Sequence, residues 1–336
     1  MSNLIGGGRR DIVLRKLVKS LFVSGVFYVD KDGGSDGAGT IDRPFNKIQD
    51  AIEAARNDGA GINEFGLKVI QLSSGVFDQE EDIRVYPGMC IRGMGINATG
   101  IHSNIIASPD IYPGNITIFE NMAIFDEGLS PIKANKNLIE LTGSYSALAF
   151  MNCFISKKSG GTGITIKIGD IGDPLSVGMV LLFNSVIQTP GGTGNTVVEI
   201  NNSSMFIWHG NLFGEFASNV VDNYFLCQGA DGSYIELHNI ALSTDSFGST
   251  EDFMFKFDNI TNLSIQNCDL QAVKQLLHMN KVGCEFHIRT STLGMNVSPG
   301  IQGTVNELVD YDHGSAFLND NTTNACNVVQ AGNTLV

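Results

Sequence analysis

This 336-residue chain has six cysteines (Cys90, Cys153, Cys227, Cys268, Cys284 and Cys326), but no two form a C-x-x-C pair. Zinc and dithiol redox frameworks need closely spaced thiols, so the spacing excludes them. The six are expected to be small buried hydrophobes. The six histidines show no metal-ligand spacing either, and no metal or other cofactor is expected. Cations are scarce: 21 Lys and Arg face 35 Asp and Glu, a net charge of −14. That balance excludes nucleic acid as a partner of the body, because phosphate backbones must be neutralised by cations. No apolar run approaches the ~20 residues of a membrane span. "LRKLVKSLFVSG", from Leu14, carries lysines inside what would be a signal peptide's apolar region, so classical secretion is not expected. There is a single tryptophan, Trp208, where saccharide grooves usually present several aromatic platforms.

What the chain does have is turns and a repeat. Thirty-nine glycines stand beside 43% hydrophobic residues, enough apolar content for a sizeable core. Short strand-like pieces recur, each with a small polar residue ahead of an apolar one. They read "IRGMGI" (Gly93), "FENMAI" (Asn121), "FMNCFI" (Asn152), "LFNSVI" (Asn184), "WHGNLFG" (Asn211), "LHNIAL" (Asn239), "IQNCDL" (Asn267) and "IRTSTL" (Thr290). Successive spacings are 28, 31, 32, 27, 28, 28 and 23 residues. A repeat of this length implies stacked supersecondary units. Each is a coil of about 28 residues whose strands pair with those of the next coil at roughly 4.8 Å. Like residues then lie over like residues, so the asparagines are expected to form a side-chain ladder at an inward turn. Cys153 and Cys268, each directly after a repeat asparagine, fall at one coil position. With "LKVIQL" ahead of them, the eight coils would make a rod of about 40 Å.

The end of such a stack exposes an open sheet edge and an apolar bore. Phe45, Ile48, Ile52 and Ala55 form one apolar stripe at helical spacing. Pro44 and Gly59 lie where a helix starts and stops well. A capping helix is therefore expected over 44–58. Ahead of it lies a leader of opposite charge. Arg9, Arg10, Arg15, Lys16 and Lys19 against Asp11 make the first 20 residues +4, leaving −18 for the rest (−14 − 4). Leu14, Leu17, Val18 and Leu21 give it an apolar helical stripe. Three uses are open for the stripe: packing along the chain's own rod, docking on a partner protein or symmetry mate, or lying on a membrane surface.

"DGGSDGAGTIDRPFNKIQDAIEAA" followed by "VIQLSSGVF" resembles the first coil of pectin-lyase-like right-handed parallel β-helix proteins. The matching positions are Asp32, Gly33, Gly39, Thr40, Pro44, Phe45, Ile48, Gln49, Ala51, Gly75 and Phe77. With the repeat, the resemblance covers about residues 27 to 300. It implies an all-β, single-stranded right-handed parallel β-helix with an N-terminal capping helix. The expected organisation is a basic amphipathic anchor at 1–26, the β-helix over 27–310 and a C-terminal tail at 311–336. This fold carries lyases, hydrolases, esterases and non-enzymatic virion proteins, so it does not choose an activity.

The enzyme motifs of that superfamily are incomplete here. "EDFMFKF", with Asp252 and Phe253, lacks the methylesterase glycine, and no Gln-Asp-Thr-Leu precedes it. "WHGN", with His209, holds half of the polygalacturonase Gly-His-Gly. Asp170 and Asp173 in "KIGDIGDPL" are two carboxylates on a glycine-rich turn, too few ligands for a calcium-dependent lyase. "YDH", ending at His313, has no nucleophile motif nearby. No catalytic, metal or carbohydrate-binding residue is assigned. The expectation is a structural or adhesive virion protein of tailspike, fibre or capsid-decoration type. It would be assembled in the host cytoplasm and homotrimeric, joined to other virion proteins through Leu14, Leu17, Val18 and Leu21, with host surface glycan as a ligand. The alternative is a polysaccharide-modifying lyase or glycoside hydrolase of the same fold.

Overall fold

The computed structural model describes residues 23–34, 36–59, 67–79, 81–107, 116–126, 135–143, 146–157, 163–188, 196–210, 216–217, 223–244, 253–272, 275–279, 284–289, 292–295, 301–303, 307–312 and 327–330. Among these residues the chain is mostly strand, with one α-helix, Ile48–Asn57. The strands form a 15-stranded, a nine-stranded and a four-stranded sheet. The long sheet runs through Val23–Val29, Leu67–Leu72, Met89–Arg92, Ile116–Phe125, Ser146–Ser156, Gly178–Phe183, Met205–His209, Ser233–His238 and Thr261–Gln266, and continues to Asn327–Gln330. Neighbours pair in parallel. Between Leu67–Leu72 and Glu307–Asp312, each return to this main path follows one strand of the nine-stranded sheet. Parallel neighbours need a crossover rather than a hairpin, and a crossover repeated by one route stacks coil on coil. The pairing is compatible with an all-β parallel solenoid.

Register explains why these residues make these strands. In the nine-stranded sheet Ile83, Ile105, Ile139, Ile166, Val198, Phe225 and Phe255 are successive partners. Opposite them, Ile70, Ile91, Phe119, Phe150, Leu182, Trp208, Leu237 and Ile265 form a column of the long sheet. All are fully or almost fully buried in one core. Stacking equivalent aromatics is favourable in offset, near-parallel geometry. Phe119 and Phe150 lie 5.2 Å apart at 13°, and Phe225 and Phe255 lie 5.1 Å apart at 8°.

The helix begins at Ile48, four residues after Pro44. Phe45 holds the intervening chain extended: its N–H donates to the Tyr28 carbonyl at 2.9 Å, and its carbonyl accepts from Asp30 N–H at 2.8 Å. Pro44 therefore precedes this bridge rather than opening the helix. Ile48, Ala51, Ile52 and Ala55 have no exposed surface. They face Val23–Val29 and Leu67–Leu72, the first two strands of the long sheet, and Ile83–Val85, the edge strand of the nine-stranded sheet. Gln49 pairs with the edge strand itself, its Oε1 accepting from Arg84 N–H at 2.9 Å and its Nε2 donating to the Arg84 carbonyl at 3.3 Å. Gly59, at φ +88°, ends the helical segment, its N–H donating to the Arg56 carbonyl.

The first strand begins at Val23, whose partner is Leu67, so residues 23–26 belong to the sheet. Leu14, Leu17, Val18 and Leu21 lie outside the described residues. At the other end, Glu307–Asp312 and Asn327–Gln330 extend the long sheet into the segment assigned to the tail.

Candidate functional site

Two polar corners and one outward cluster carry the chain's concentrated chemistry. At the first corner Asn121, Asn152, Asn184, Asn239 and Asn267 all have left-handed backbone, with φ between 48° and 58°. Asparagine tolerates this region because its short side chain bonds locally. The bend lets Ile116–Phe125 and Ser146–Ser156 each turn a corner within one strand. Pairing on both sides puts Asn121, Asn152 and Asn184 level. Asn152 Nδ2 donates to Asn121 Oδ1 at 3.1 Å, one rung of a side-chain ladder. The side chains of Asn152 and Asn184 are exposed rather than turned inward. The residue after each bend goes into the core instead: Met122, Cys153, Ser185, Ile240 and Cys268 are buried.

Asn211 lies outside the described residues. The residue level with Asn184 and Asn239 is Gly210, and Gly93 holds the same level beside Asn121. A Cβ at Gly93 would sit 2.4 Å from the Asn121 carbonyl oxygen, and one at Gly210 2.8 Å from that of Asn239, so the corner is crowded at those two coils. Replacing Asn152 with valine should lower stability by about 1–3 kcal/mol, because a β-branched residue is strained at this φ and the rung to Asn121 is lost. Asn152→Gly keeps the backbone and should cost less. Urea unfolding midpoints check the order, and equal losses for the two variants would contradict it.

The second corner lies where the nine-stranded sheet ends. Gly169, Asn201, Gln228 and Asp258 are level there, at spacings of 32, 27 and 30 residues. Asn202 and Gly229, one residue on, both have positive φ. Asn202 Nδ2 donates to the carbonyls of Asp170 (2.9 Å), Asp173 (3.0 Å) and Ser176 (3.3 Å). Two coils on, Asn259 Nδ2 donates to the carbonyls of Gln228 and Ala230 and to Ser233 Oγ. The two Asp side chains read as a possible cation turn are spent locally: Asp170 Oδ1 accepts from Gly172 N–H at 3.1 Å, and Asp173 Oδ1 accepts from Leu175 N–H at 3.0 Å. The cradle of three carbonyls is filled by an amide nitrogen. Among the described residues no group of three His, Cys, Asp or Glu could hold a metal ion.

On the outer face of the long sheet, Glu120, Met151, Phe183, His209, His238 and Gln266 form one row. Near its far end the groups meet. The buried Glu236 carboxylate accepts from Tyr234 OH at 2.7 Å and from His209 Nε2 at 2.8 Å. Because a carboxylate only accepts, Nε2 carries the proton. The His209 ring lies edge-on to Phe183 at 5.6 Å and to His238 at 5.2 Å. A carboxylate that holds an imidazole in one tautomer beside partly exposed aromatic rings can orient a polyol and carry a proton. His209 was legible only as half of a motif. Its partner Glu236 is 27 residues away, one coil on, so only the register brings the two together. Nearer the helix, Arg92 Nε donates to Glu120 Oε2 at 2.7 Å.

The described cysteines are buried thiols outside any disulfide. Burial pushes the thiols of Cys90 and Cys268 up to about 11 and that of Cys153 up to about 12, and raises Cys227 as well. None of these four has the lowered value a nucleophile needs. Trp208 is wholly buried, with its indole N–H donating to the Ser185 carbonyl at 2.9 Å, so it offers no platform. Asp252, His313 and Cys326 lie outside the described residues. No helix among the described residues is long and apolar enough to cross a membrane. No family model matches the chain, and no curated protein or solved structure matches it at a significant level.

Proposed function

We propose that this chain is a right-handed parallel β-helix of the pectin-lyase-like kind whose first coil is capped by helix Ile48–Asn57. It serves as a structural or adhesive rod of a virus particle, of tailspike, fibre or decoration type. The observation that carries this reading is the parallel pairing that persists along the long sheet from Val23 to Gln330. Stacked coils of this kind make a stiff rod without a separate catalytic domain. The burial of Ile48 and Ile52 and the Gln49 bonds to an edge strand support the cap. The rod is homotrimeric, joins other virion proteins through its N-terminal segment, and presents its sides to host surface glycan. Analytical ultracentrifugation of the full chain should give one species at three times the 36.1 kDa chain mass. A monomer at all concentrations would sink the trimer.

One observation favours a second reading, a polysaccharide-modifying enzyme: the Tyr234, Glu236 and His209 cluster. Purified protein incubated with bacterial surface polysaccharides and with polygalacturonate, with and without calcium, separates the two. Binding without new reducing ends or unsaturated products is the expected result. Cleavage that disappears in Glu236→Gln would move the chain to the enzymes of this fold.

A further inference from the structure

The outer face of the long sheet changes character within one coil. Ala147, Met179 and Met205 are successive partners in one of its outward columns, and Ala149, Leu181 and Ile207 in the next. One strand on, those columns continue as Tyr234 and Glu236, and then as Asn262 and Ser264. His238 and Gln266 stand beside them in the third column. Six apolar positions thus give way to six polar ones. The alternate residues Ile235, Leu237, Leu263 and Ile265 stay in the core throughout, so inward packing does not impose the change.

Glu236 is buried and accepts from Tyr234 OH and His209 Nε2, which tethers the Tyr234 ring. A buried carboxylate is costly unless donors meet it, and a face that served only to be wet would not need one. Asn262, Ser264 and Gln266 cross the next strand in a line of about 13 Å. Asn262 and Ser264 are partly exposed and Gln266 is exposed. Among the described residues, their side chains form no hydrogen bond. Two amides and a hydroxyl each offer both donor and acceptor.

What the six positions lack sets the ligand class. None is Lys or Arg, so an anion finds no cation there. The one carboxylate is buried and already bonded, so a cation finds no exposed counter-charge. Strand Thr261–Gln266 is paired on both sides, so a peptide cannot add to it by backbone bonds. A neutral molecule rich in hydroxyls fits, with an apolar ring face to lie on Tyr234.

We propose that this half of the outer face binds a neutral saccharide. Asn262, Ser264 and Gln266 read its hydroxyls, and Tyr234 supplies the apolar surface. The site rests on the glycan-binding role proposed above and narrows it: the ligand is uncharged, and the apolar coils before Tyr234 take no part.

Binding of the full chain to immobilised dextran, mannan and galactan, with polygalacturonate as the anionic comparison, tests both parts. The chain should hold at least one of the neutral three more tightly than polygalacturonate. Raising the salt from about 0.05 M to about 0.5 M should change that affinity less than about two-fold, because no ion pair contributes. Ser264→Lys, which puts a long cation in the middle of the line, should weaken binding about ten-fold or more, and Gln266→Ala about five-fold. Gln266 is exposed, so its truncation should leave the melting temperature unchanged and the loss belongs to binding. Lys167→Ser, outward on the nine-stranded sheet between Ile166 and Ile168, should bind like the parent. Neutral binding that both face variants retain overturns this site and leaves the glycan-binding role standing. A parent that holds only polygalacturonate, and loses it in salt, overturns the neutral class alone. A parent that holds none of the four overturns the site together with the role it rests on.

Discussion

Replacing Ile48 by aspartate should lower the stability of the chain by about 3–5 kcal/mol, because it puts an unpaired charge into a fully desolvated position. Ile48 has no exposed surface and belongs to the continuous core, along with Ala51, Ile52 and Ala55. The helix stands against the outermost strands of both large sheets, so its displacement would also open a sheet edge to other chains. A second symptom should therefore accompany the loss of stability: concentration-dependent aggregation on warming. Gln49→Ala is the milder control. It removes two hydrogen bonds to the edge strand at Arg84 but leaves the apolar seal, so a loss of about 1–2 kcal/mol is expected. Thermal melts followed by light scattering check both. An Ile48→Asp chain that melts and scatters like the parent would show that the helix does not seal the end of the stack.

The parts of this structure that were legible in sequence are those where chemistry repeats in register. The Asn121, Asn152 and Asn184 spacing marked coils because only asparagine and glycine hold a left-handed bend cheaply, and the helix stripe at Ile48 and Ile52 showed through its period. The second corner was harder to see. Its level positions hold Gly169, Asn201, Gln228 and Asp258, four residue types with different local roles, so only the spacing ties them together. Gly210 shows the limit of reading by residue type: the asparagine of "WHGN" is one residue past the position that register makes level with Asn184. The Tyr234, Glu236 and His209 cluster was invisible for another reason. Each residue alone looks like an ordinary outward strand position, and meaning arises only when adjacent coils bring Glu236 beside His209.

Lys157→Met should cost about 3–5 kcal/mol, whereas Lys157→Met combined with Asp126→Leu should recover most or all of it. In sequence both residues look like surface charges, one in "FDEG" and the other in "SKKSGG". Each follows its repeat asparagine by five residues, Asn121 and Asn152. One step of register thus sets the lysine directly over the aspartate. Lys157 Nζ donates to Asp126 Oδ2 at 2.9 Å, with side-chain exposures of 4% and 0%. Surface pairs such as Arg43 with Asp36 contribute little, because water screens them and two flexible side chains must be held. The buried pair differs in what its removal leaves behind. Without the ammonium, the carboxylate stays in a site that water does not reach and loses the opposite charge that faces it. Without both charges, two apolar side chains of similar size fill the same space at no such cost. A double-mutant cycle in urea, read from unfolding midpoints at pH 7, measures the difference. Single losses under 1 kcal/mol, or a double variant whose loss equals the sum of the singles, would mean that the two charges are solvated and that the coil does not depend on their contact.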